Sequence, residues 1–287
     1  MSREIISRTY ANRHKISLYA RIMPKTQKSR SKSNISRKIK PPFCRQGNKF
    51  PIHQSIIELI PPHTTYVEPF LGSGAIFFNK PPVSKSVLND LDKRTVERFR
   101  LLQKAPLDHR KYRHDLNTIP KIRAFYLNHG RSVADRLFYE KIVACNGFSG
   151  KPVSGPQNIY RKADPAKMLD LLEEYQTQLR NAVITNMDYE QCIKAHDSAT
   201  AFFFLDPPYE NTVATYGYAE HVDFDFERLA QVVSRIKGKW LITIDDSPRI
   251  RALFSDYYQK KVKVYTKWGH TSGNRKRHEL FVANYHI

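Results

Sequence analysis

Short apolar runs that alternate with helical patterns constrain the fold of this chain more than any other sequence feature. Each run has the length of a β-strand and is too short to cross a membrane. The predicted strands are Thr65–Val67, Ser86–Leu88, Ala182–Thr185, Ala201–Leu205, Trp240–Ile244, Lys261–Thr266 and Glu279–Asn284. Strands that alternate with helices predict an α/β fold, in which helices cover both faces of a mostly parallel sheet.

The helical patterns divide the chain into a sheet-forming part and an insert. Helices are predicted at Ile52–Ile60, from Ala75, between about Thr95 and Cys145, at Asp164–Leu179 and at Phe226–Ile236. The block at 95–182 interrupts the alternation, so we interpret it as a mostly helical insert in a domain built from 41–94 and 183–287. The last two predicted strands are joined by a loop, Lys267–Arg277, and are expected to form an antiparallel pair at the sheet edge.

The chain is strongly basic, with a formal net charge of +21 over 287 residues, and is expected to attract polyanions. Residues 1–40 contain twelve of the 48 lysines and arginines, a single acid, Glu4, and no sustained periodicity. We interpret this segment as a disordered basic arm. Three roles stay open for it: a solvated tail, an arm that follows DNA, or an organelle transit peptide, which is similarly rich in Arg and Ser.

The cysteines and the hydropathy pattern exclude several classes of protein. Cys44, Cys145 and Cys192 are scattered and show neither zinc-ligand spacing nor a redox pair. We therefore expect reduced thiols, as is typical of cytoplasmic proteins, and no metal. No apolar stretch is long enough for a signal peptide or a membrane helix, so no membrane partner is expected.

Two of the predicted strands end in residues that are typical of ligand binding. The stretch from Glu68 to Gly74, EPFLGSG, follows the first strand, and Asn89-Asp90 ends the second. Open α/β sheets bind ligands beyond the carboxyl ends of their strands, where paired glycines let a ligand approach the backbone. The third glycine of the dinucleotide fingerprint is absent. Taken singly, each motif is also consistent with a tight turn or a helix cap.

The fourth predicted strand ends in Asp206-Pro207-Pro208-Tyr209, which is more than a turn requires. Each proline fixes its own φ and favours an extended conformation of the residue before it, so Asp206 and Pro207 are both held extended. The Asp206 carboxylate and the Pro207 carbonyl then form two fixed acceptors beside the ring of Tyr209. Such a set suits a flat ring that bears an amino group with two N–H donors. The alternative is a rigid loop with a capping acid.

In this order, VEPFLGSG, ND and DPPY resemble the alpha group of the Dam-like family of site-specific DNA N6-adenine methyltransferases. Arg45–Lys49 resembles the family's N-terminal cofactor motif, and Cys145–Gly150 resembles the entry to its DNA-reading hairpin. Asn186–Asp188 resembles its acidic motif, and Glu279–Tyr285 resembles its closing strand. The resemblance covers residues 41–287. At the hairpin entry, Phe148-Ser149-Gly150 replaces the usual Phe-Asn-Gly, which leaves the recognised DNA sequence open.

The resemblance implies a Rossmann-like, S-adenosylmethionine-dependent methyltransferase sheet, with 95–182 as an inserted target-recognition domain. The implied cofactor-binding residues are Lys49, Glu68, Phe70, Gly72, Ser73, Gly74, Asp90, Asp188 and Asp206. The implied catalytic residues, which would hold a flipped adenine, are Asp206, Pro207 and Tyr209. The implied DNA-binding residues are Lys151, Arg161, Lys162, Arg275 and Lys276. These side chains could contact phosphates or simply be solvated, and both alternatives stay open beside base readout.

An enzyme of this kind is expected to act as a monomer on duplex DNA in the cytoplasm, and a cognate restriction endonuclease is a candidate partner. Ser at the first position of DPPY is typical of cytosine-N4 enzymes and Asn of glutamine-modifying enzymes, so Asp206 argues against both. Two alternatives stay open: a methyltransferase that acts on RNA, and a catalytically inactive DNA-binding homologue.

Overall fold

The computed structural model describes residues 38–43, 47–104, 165–209, 224–267 and 274–287. Its β-strands are β1 Thr65–Glu68, β2 Lys85–Asn89, β3 Ala182–Thr185, β4 Ala201–Leu205, β5 Lys239–Asp245, β6 Tyr258–Lys267 and β7 Asn274–Ala283. Its α-helices are α1 His53–Ile57, α2 Lys93–Lys104, α3 Pro165–Leu179, α4 Tyr189–His196, α5 Phe226–Val233 and α6 Pro248–Leu253. A 3-10 helix, Phe50–Ile52, precedes α1.

These strands form one sheet in the order β3-β2-β1-β4-β5-β7-β6. Strands β1 to β5 pair in parallel, whereas β7 runs antiparallel to both β5 and β6. The predicted Rossmann-like sheet is therefore confirmed, and so is the antiparallel pair formed by the last two strands.

The hairpin of β6 and β7 corrects one detail of the prediction. The sequence suggests a loop at Lys267–Arg277, but β6 continues to Lys267 and β7 begins at Asn274, the residue with which Lys267 pairs. The part of β7 that the sequence does not predict, Asn274–His278, has no apolar alternation. It is a strand because it pairs with Lys263–Lys267 of β6.

The sheet has a switch point between β1 and β4. β2 lies on one side of β1 and β4 lies on the other, so successive connections run in opposite directions along the sheet. Open α/β sheets bind ligands beyond the carboxyl ends of the strands at such a point. Glu68 ends β1 and Asp206 directly follows β4, so two of the predicted site residues lie at this crevice.

Two apolar clusters cover the two faces of the sheet. Successive residues of a strand point to opposite faces, so Phe202 and Phe204 of β4 belong to one cluster while Phe203 and Leu205 belong to the other. Helices α2 and α3 complete the first cluster, and helices α4, α5 and α6 complete the second. A strand that is buried on both faces needs the continuous apolar sequence that β4 has.

The predicted insert at 95–182 is described only at its two ends. Most of α2 and all of α3 lie within it, and both helices pack against the sheet, α3 through Leu172, Tyr175 and Leu179. Residues 105–164 lie outside the described residues, as do residues 1–37 of the basic arm. The domain boundaries therefore stay a prediction.

The helix predicted to start at Ala75 is replaced by consecutive turns. The Phe78 N–H donates to the Gly74 carbonyl at 3.1 Å, so a first helical turn forms. The Asn79 side chain then donates to the Ala75 carbonyl at 2.9 Å and takes the place of the next backbone donor. Pro81 follows shortly afterwards and has no N–H to extend the ladder.

Helices α4 and α6 are short, and apolar periodicity alone does not predict them. Asp188 caps α4 by accepting the Glu190 N–H, and Ser247 caps α6 directly before Pro248. Capping residues of this kind are a start signal that the sequence contains. In the part of the chain that the structure describes, no helix is long and apolar enough to span a membrane.

Candidate functional site

A cavity of about 670 Å³ lies at the carboxyl ends of β1, β2 and β4. It is lined by most of the residues that the sequence predicted for cofactor binding and catalysis, namely Lys49, Glu68, Phe70, Gly72, Ser73, Asp90, Asp188, Asp206 and Pro207. Segments that are far apart in the chain therefore meet in one site. Gly74 and Tyr209 are buried next to these residues and do not line the cavity itself.

The loop after β1 requires glycine at two positions for different reasons. Gly72 has φ +52°, and open space surrounds the position of an added Cβ, so its conformation alone requires glycine. Gly74 has φ +70°, and a Cβ there would lie 3.1 Å from the Phe78 ring and 3.2 Å from the Phe99 ring. Left-handed backbone and close packing together explain the GSG sequence.

Asp90 joins the glycine loop to the end of β2. Its Oδ2 accepts the Gly72 N–H at 2.9 Å, and its Oδ1 accepts the Asp92 N–H at 2.9 Å. Carboxylate oxygens of this kind can accept a hydrogen bond from a ligand hydroxyl at the cavity wall. These bonds fix the position of its carboxylate at the cavity wall.

Asn89, which precedes Asp90, connects three segments of the wall. Its Nδ2 donates to the Pro69 carbonyl at 3.0 Å and to the Met187 carbonyl at 2.9 Å. Its Oδ1 accepts from the Met187 N–H at 2.9 Å and from the Thr185 hydroxyl at 2.8 Å. The side chain thus uses its two donors and two acceptor sites, while it is fully buried.

Asp206 lies in a network that includes a buried lysine. Lys49 Nζ lies 2.7 Å from Asp206 Oδ1 and also donates to the Gly47 carbonyl at 2.9 Å. Thr243 on β5 donates its hydroxyl to the same Oδ1 at 3.0 Å. The Lys49 ammonium lies 4.6 Å from the centroid of the Tyr209 ring. The predicted catalytic Asp206 and Tyr209 are therefore connected through Lys49.

A second buried network, here called the β1 cluster, consists of Tyr66, Glu68 and Lys80. The Tyr66 hydroxyl donates to Glu68 Oε2 at 2.9 Å, and Lys80 Nζ lies 4.4 Å from the centroid of the Tyr66 ring. Burial raises the pKa of Glu68 to about 8, although the hydrogen bond from Tyr66 lowers this pKa. Burial likewise lowers the pKa of Lys80 to about 8, and Glu68 opposes that shift.

The opposite side of the cavity has an exposed network, here called the rim cluster, of Asp188, Glu190 and Arg228. Arg228 donates to both Asp188 oxygens, at 2.8 and 3.2 Å, and to Glu190 Oε2 at 2.8 and 3.0 Å. Its guanidinium carbon also lies 4.9 Å from the centroid of the Tyr189 ring. Bidentate pairing of this kind fixes the predicted acidic motif in place.

Aromatic side chains form the apolar wall beside the rim cluster. Phe70 lies 5.2 Å from Tyr189 and 5.8 Å from Phe224, measured between ring centroids. Phe70 belongs to the predicted cofactor motif, whereas Phe224 comes from the segment before α5 and no local motif identifies it. The wall offers flat apolar surface of the kind that holds a heteroaromatic ring.

The predicted DNA-binding residues fall into two groups. Lys151, Arg161 and Lys162 lie outside the described residues. Arg275 and Lys276 lie on β7 and not on a loop. For metals, the described ranges contain no group of three or more His, Cys, Asp or Glu side chains that could hold an ion.

Sequence reasoning missed Lys80, Thr243 and Arg228. Lys80 and Arg228 have the sequence context of ordinary solvated side chains, and Thr243 lies in an apolar strand. Each reaches the site only through the fold, because its partner is 12 to 40 positions away in the chain. Only the parallel strand order could have indicated the proximity of Thr243 and Asp206.

Comparisons with known proteins identify a family. The model of the D12 class N6 adenine-specific DNA methyltransferase family matches residues 46–269. The type II methyltransferase M.CviBI of Paramecium bursaria Chlorella virus NC1A is 25% identical over 234 residues, which cover 77% of this chain and 90% of that protein. The type II methyltransferase M1.LlaDCHI of Lactococcus lactis subsp. cremoris is 26% identical over 273 residues, which cover 85% and 95%.

A longer relative matches over part of its length. The DNA N-6-adenine-methyltransferase of Escherichia phage P1 is 29% identical over 249 residues, which cover 77% of this chain but only 32% of the phage protein. Among solved structures, a precorrin-6y C5,15-methyltransferase from Geobacter metallireducens GS-15 aligns with a TM-score of 0.38 and 8% identity over 81% of this chain and 85% of that one.

The family match extends from the segment before Lys49 to β6 and includes the glycine loop, the acidic motif and DPPY. The residues that line the cavity at the sheet's switch point are thus within the matched range. On this evidence the chain belongs to the D12 class N6 adenine-specific DNA methyltransferase family.

Proposed function

We propose that this chain transfers a methyl group from S-adenosylmethionine to the N6 amino group of an adenine within a specific site in duplex DNA. We base the assignment of residues on one observation: Asp206 and Pro207 line the same cavity as the glycine loop. Transfer requires the base and the methyl donor to lie side by side, and this cavity joins the two motifs.

The residues of the cavity suit S-adenosylmethionine. A volume of about 670 Å³ lies in the range of sites for molecules of that size. Asp90 lines the cavity with a carboxylate that suits ribose hydroxyls, and the Phe70 wall offers apolar surface for an adenine ring. Glu68 offers a carboxylate for the amino group of the methionine part. Asp188 is already bonded to Arg228, so we assign it to shaping the adenine end.

When bound, the cofactor supplies a methyl group on a positively charged sulfur, which a nitrogen lone pair can attack in line. The N6 amine of adenine is a poor nucleophile because its lone pair is delocalised into the ring. Asp206 and the Pro207 carbonyl accept the two N–H bonds of that amine. This pairing draws the nitrogen toward a tetrahedral geometry and directs its lone pair into the cavity. The protein thus contributes position and fixed dipoles.

Lys49 and Thr243 support Asp206 in this role. Both already bond to Oδ1, so the carboxylate has a fixed orientation. Because Asp206 shares its charge with an ammonium and a hydroxyl, we assign it to accepting a hydrogen bond rather than to removing a proton before methyl transfer. The methylated amine is acidic and then releases one proton to Asp206 or to water.

The target base must leave the duplex to reach Asp206. Unpairing and unstacking cost a few kcal/mol, and stacking on an aromatic ring restores about 1–3 kcal/mol per base. Tyr209 is the aromatic residue of DPPY, and its ring already holds the Lys49 ammonium. We assign Tyr209 to stacking on the flipped adenine.

The test is to express the chain in a host that lacks DNA methylation and to sequence its DNA with a method that detects N6-methyladenine. We expect modified adenine in one short motif. An Asp206→Ala variant should lose about 10²–10³-fold in turnover, because an interaction made at the reacting amine is removed. Asp256→Ala, an exposed acid in the turn before β6, is the matched control and should methylate normally.

Other outcomes would separate the alternatives. Near wild-type methylation by Asp206→Ala would contradict the assigned mechanism. Unmodified DNA from a protein that still binds S-adenosylmethionine would favour RNA as the acceptor. Unmodified DNA without cofactor binding would favour an inactive DNA-binding homologue. A Tyr209→Ala variant should keep cofactor affinity and lose turnover.

Two relatives are named type II methyltransferases, which supports a pairing with a restriction endonuclease. If the chain protects DNA in this way, DNA from the expressing host should resist endonucleases that cut at the methylated motif. We also propose that the enzyme acts as a monomer, which the molecular mass of the purified protein in solution would test.

A further inference from the structure

The β1 cluster places a buried acid, a phenol and a buried lysine behind the wall of the cavity. Glu68 is 2% exposed and lines the cavity, while Tyr66 is fully buried and Lys80 is 7% exposed. Tyr66 and Lys80 do not line the cavity. Burying three polar side chains in one place is costly unless each finds a partner.

The three side chains hold each other in a definite arrangement. Tyr66 and Glu68 are two positions apart on β1, so they point to the same face, and the Tyr66 hydroxyl donates to Oε2 only. Lys80 Nζ lies over the Tyr66 ring and donates to the Pro81 carbonyl at 2.8 Å. Oε1 of Glu68 therefore remains to accept from a ligand.

We propose that Tyr66 and Lys80 are positioning residues, which hold the Glu68 carboxylate ionised and oriented to bind the ammonium group of the cofactor's methionine part. This inference rests on the proposed function, because it takes S-adenosylmethionine as the occupant of the cavity. The ammonium is chosen over the sulfonium because only the ammonium can donate hydrogen bonds to Oε1.

The charged groups around Glu68 act in both directions. Tyr66 on the same strand and Lys80 on the turn after the glycine loop lower its pKa. Asp206 beyond β4 and Asp90 beyond β2 raise it, together with burial, which is the largest cause. The resulting pKa of about 8 makes Glu68 only partly ionised near neutral pH, so the loss of either supporting residue should have a visible effect.

This balance predicts a specific pH dependence of ligand affinity. If only the ionised Glu68 binds an ammonium, affinity should rise with pH toward about 8 and fall again at higher pH, where the ligand's own α-amino group loses its proton. Below that midpoint, affinity should fall about tenfold per pH unit, since the ionised fraction falls by that factor. Removing the Tyr66 hydroxyl or the Lys80 charge should move the midpoint to higher pH.

The experiment measures the dissociation constants of S-adenosylmethionine and S-adenosylhomocysteine by calorimetry, from pH of about 6 to about 9.5. The second probe lacks the sulfonium charge and keeps the ammonium. The variants are Tyr66→Phe and Lys80→Met, with Lys80→Arg to restore the charge. We expect the rise in affinity to have its midpoint at higher pH in both variants, with a larger shift for Tyr66→Phe, and a fall of affinity in every protein once the ligand's amino group loses its proton.

The chain contains a matched control pair away from the cavity. Lys239 Nζ lies 5.8 Å from the centroid of the Tyr285 ring, and the Tyr285 hydroxyl donates to the Leu59 carbonyl at 2.8 Å. Lys239→Met and Tyr285→Phe remove the same groups and should leave the midpoint unchanged. A thermal melt of each variant identifies loss of folded protein, which would lower affinity at every pH alike.

Each outcome of this experiment either supports the proposal or contradicts a stated part of it. Higher midpoints of the rise in affinity, for both probes, support the proposal, and so does a wild-type midpoint for Lys80→Arg. Wild-type binding with a flat pH profile, or variants with unchanged midpoints, would overturn the positioning role alone. A pH profile seen with S-adenosylmethionine only would overturn the assignment to the ammonium. A wild type that binds neither probe would overturn the proposed function as well.

Discussion

The β1 cluster and the rim cluster both combine an acid with a basic side chain at one cavity, and they differ in burial. In the β1 cluster, Glu68 is 2% exposed and burial dominates, so the pKa of this acid is raised. In the rim cluster, hydrogen bonds from Lys194 and Arg228 dominate, so the pKa of Glu190 is lowered. The environment, and not the residue type, therefore decides the charge state.

The contrast indicates a division of labour around the cavity. A group that titrates near neutral pH can respond to a ligand, because small changes in its surroundings alter its charge. A group with a stable charge serves better as a fixed support. Arg228, whose pKa is raised by its hydrogen bonds to Glu190 and Asp188, is such a support.

The largest effect is expected for the ion pair of Lys49 and Asp206. A Lys49→Met variant leaves Asp206 without its cation in a partly buried site, so unfolding free energy should fall by about 1–3 kcal/mol. Turnover should fall about 10²-fold because the orientation of Asp206 is lost. Urea unfolding and a methylation assay measure the two effects.

The control for this prediction is a pair with the same geometry at the surface. Lys194 and Glu190 also lie 2.7 Å apart, but Lys194 is 67% exposed. A Lys194→Met variant should lose less than about 0.5 kcal/mol, as is usual for exposed i,i+4 pairs. Equal losses in Lys49→Met and Lys194→Met would show that burial does not distinguish the two sides of the cavity.

An intermediate effect is expected when the two acids are neutralised. The pKa of Glu68 rises from 4.5 to about 8 on folding, so the folded state holds a proton that the unfolded state has lost, and this contribution to stability decreases as pH rises through that window. A Glu68→Gln variant should therefore gain stability relative to the wild type as pH rises through this range.

Glu190→Gln should show the opposite sign. Its pKa is lowered on folding, so its contribution to stability is present above its unfolded pKa and is lost as pH falls. Urea unfolding at several pH values gives both profiles. Parallel profiles for the two variants would contradict the contrast between the β1 cluster and the rim cluster.

The smallest effect is expected for Arg228→Ala. Arg228 is 42% exposed, and its pairs with Asp188 and Glu190 are open to solvent, so the loss of stability should be about 0.5–1 kcal/mol. High salt should reduce the difference from the wild type, because mobile ions screen exposed pairs. A loss of several kcal/mol that salt does not change would mean that the rim cluster behaves like a buried one.

The sequence predicts the sheet and most of the cavity wall well, for physical reasons. Strands such as β4 are buried on both faces, so their apolar runs are continuous and easy to recognise. The glycine loop, Asp90 and DPPY follow directly after strands, and parallel strands bring their carboxyl ends to one edge. Local pattern and site position are thus linked.

The residues that the sequence does not predict act across long distances in the chain. Thr243 supports Asp206 because β5 lies beside β4, and Arg228 reaches Asp188 because α5 packs near α4. The burial of Lys80 depends on the turns at Gly74–Lys80, which replace the expected helix. In each case the role of the residue depends on its neighbours in the folded structure, and the adjacent residues in the sequence do not indicate it.

The four hydrogen bonds of Asn89 have a consequence for the thermodynamics of binding. They tie the segments after β1 and β3 to the end of β2, so three stretches of backbone lose their conformational entropy when the chain folds. A ligand that enters the cavity afterwards does not bear that ordering cost a second time. The buried amide of Asn89 thus orders the binding site when the chain folds, before any ligand binds.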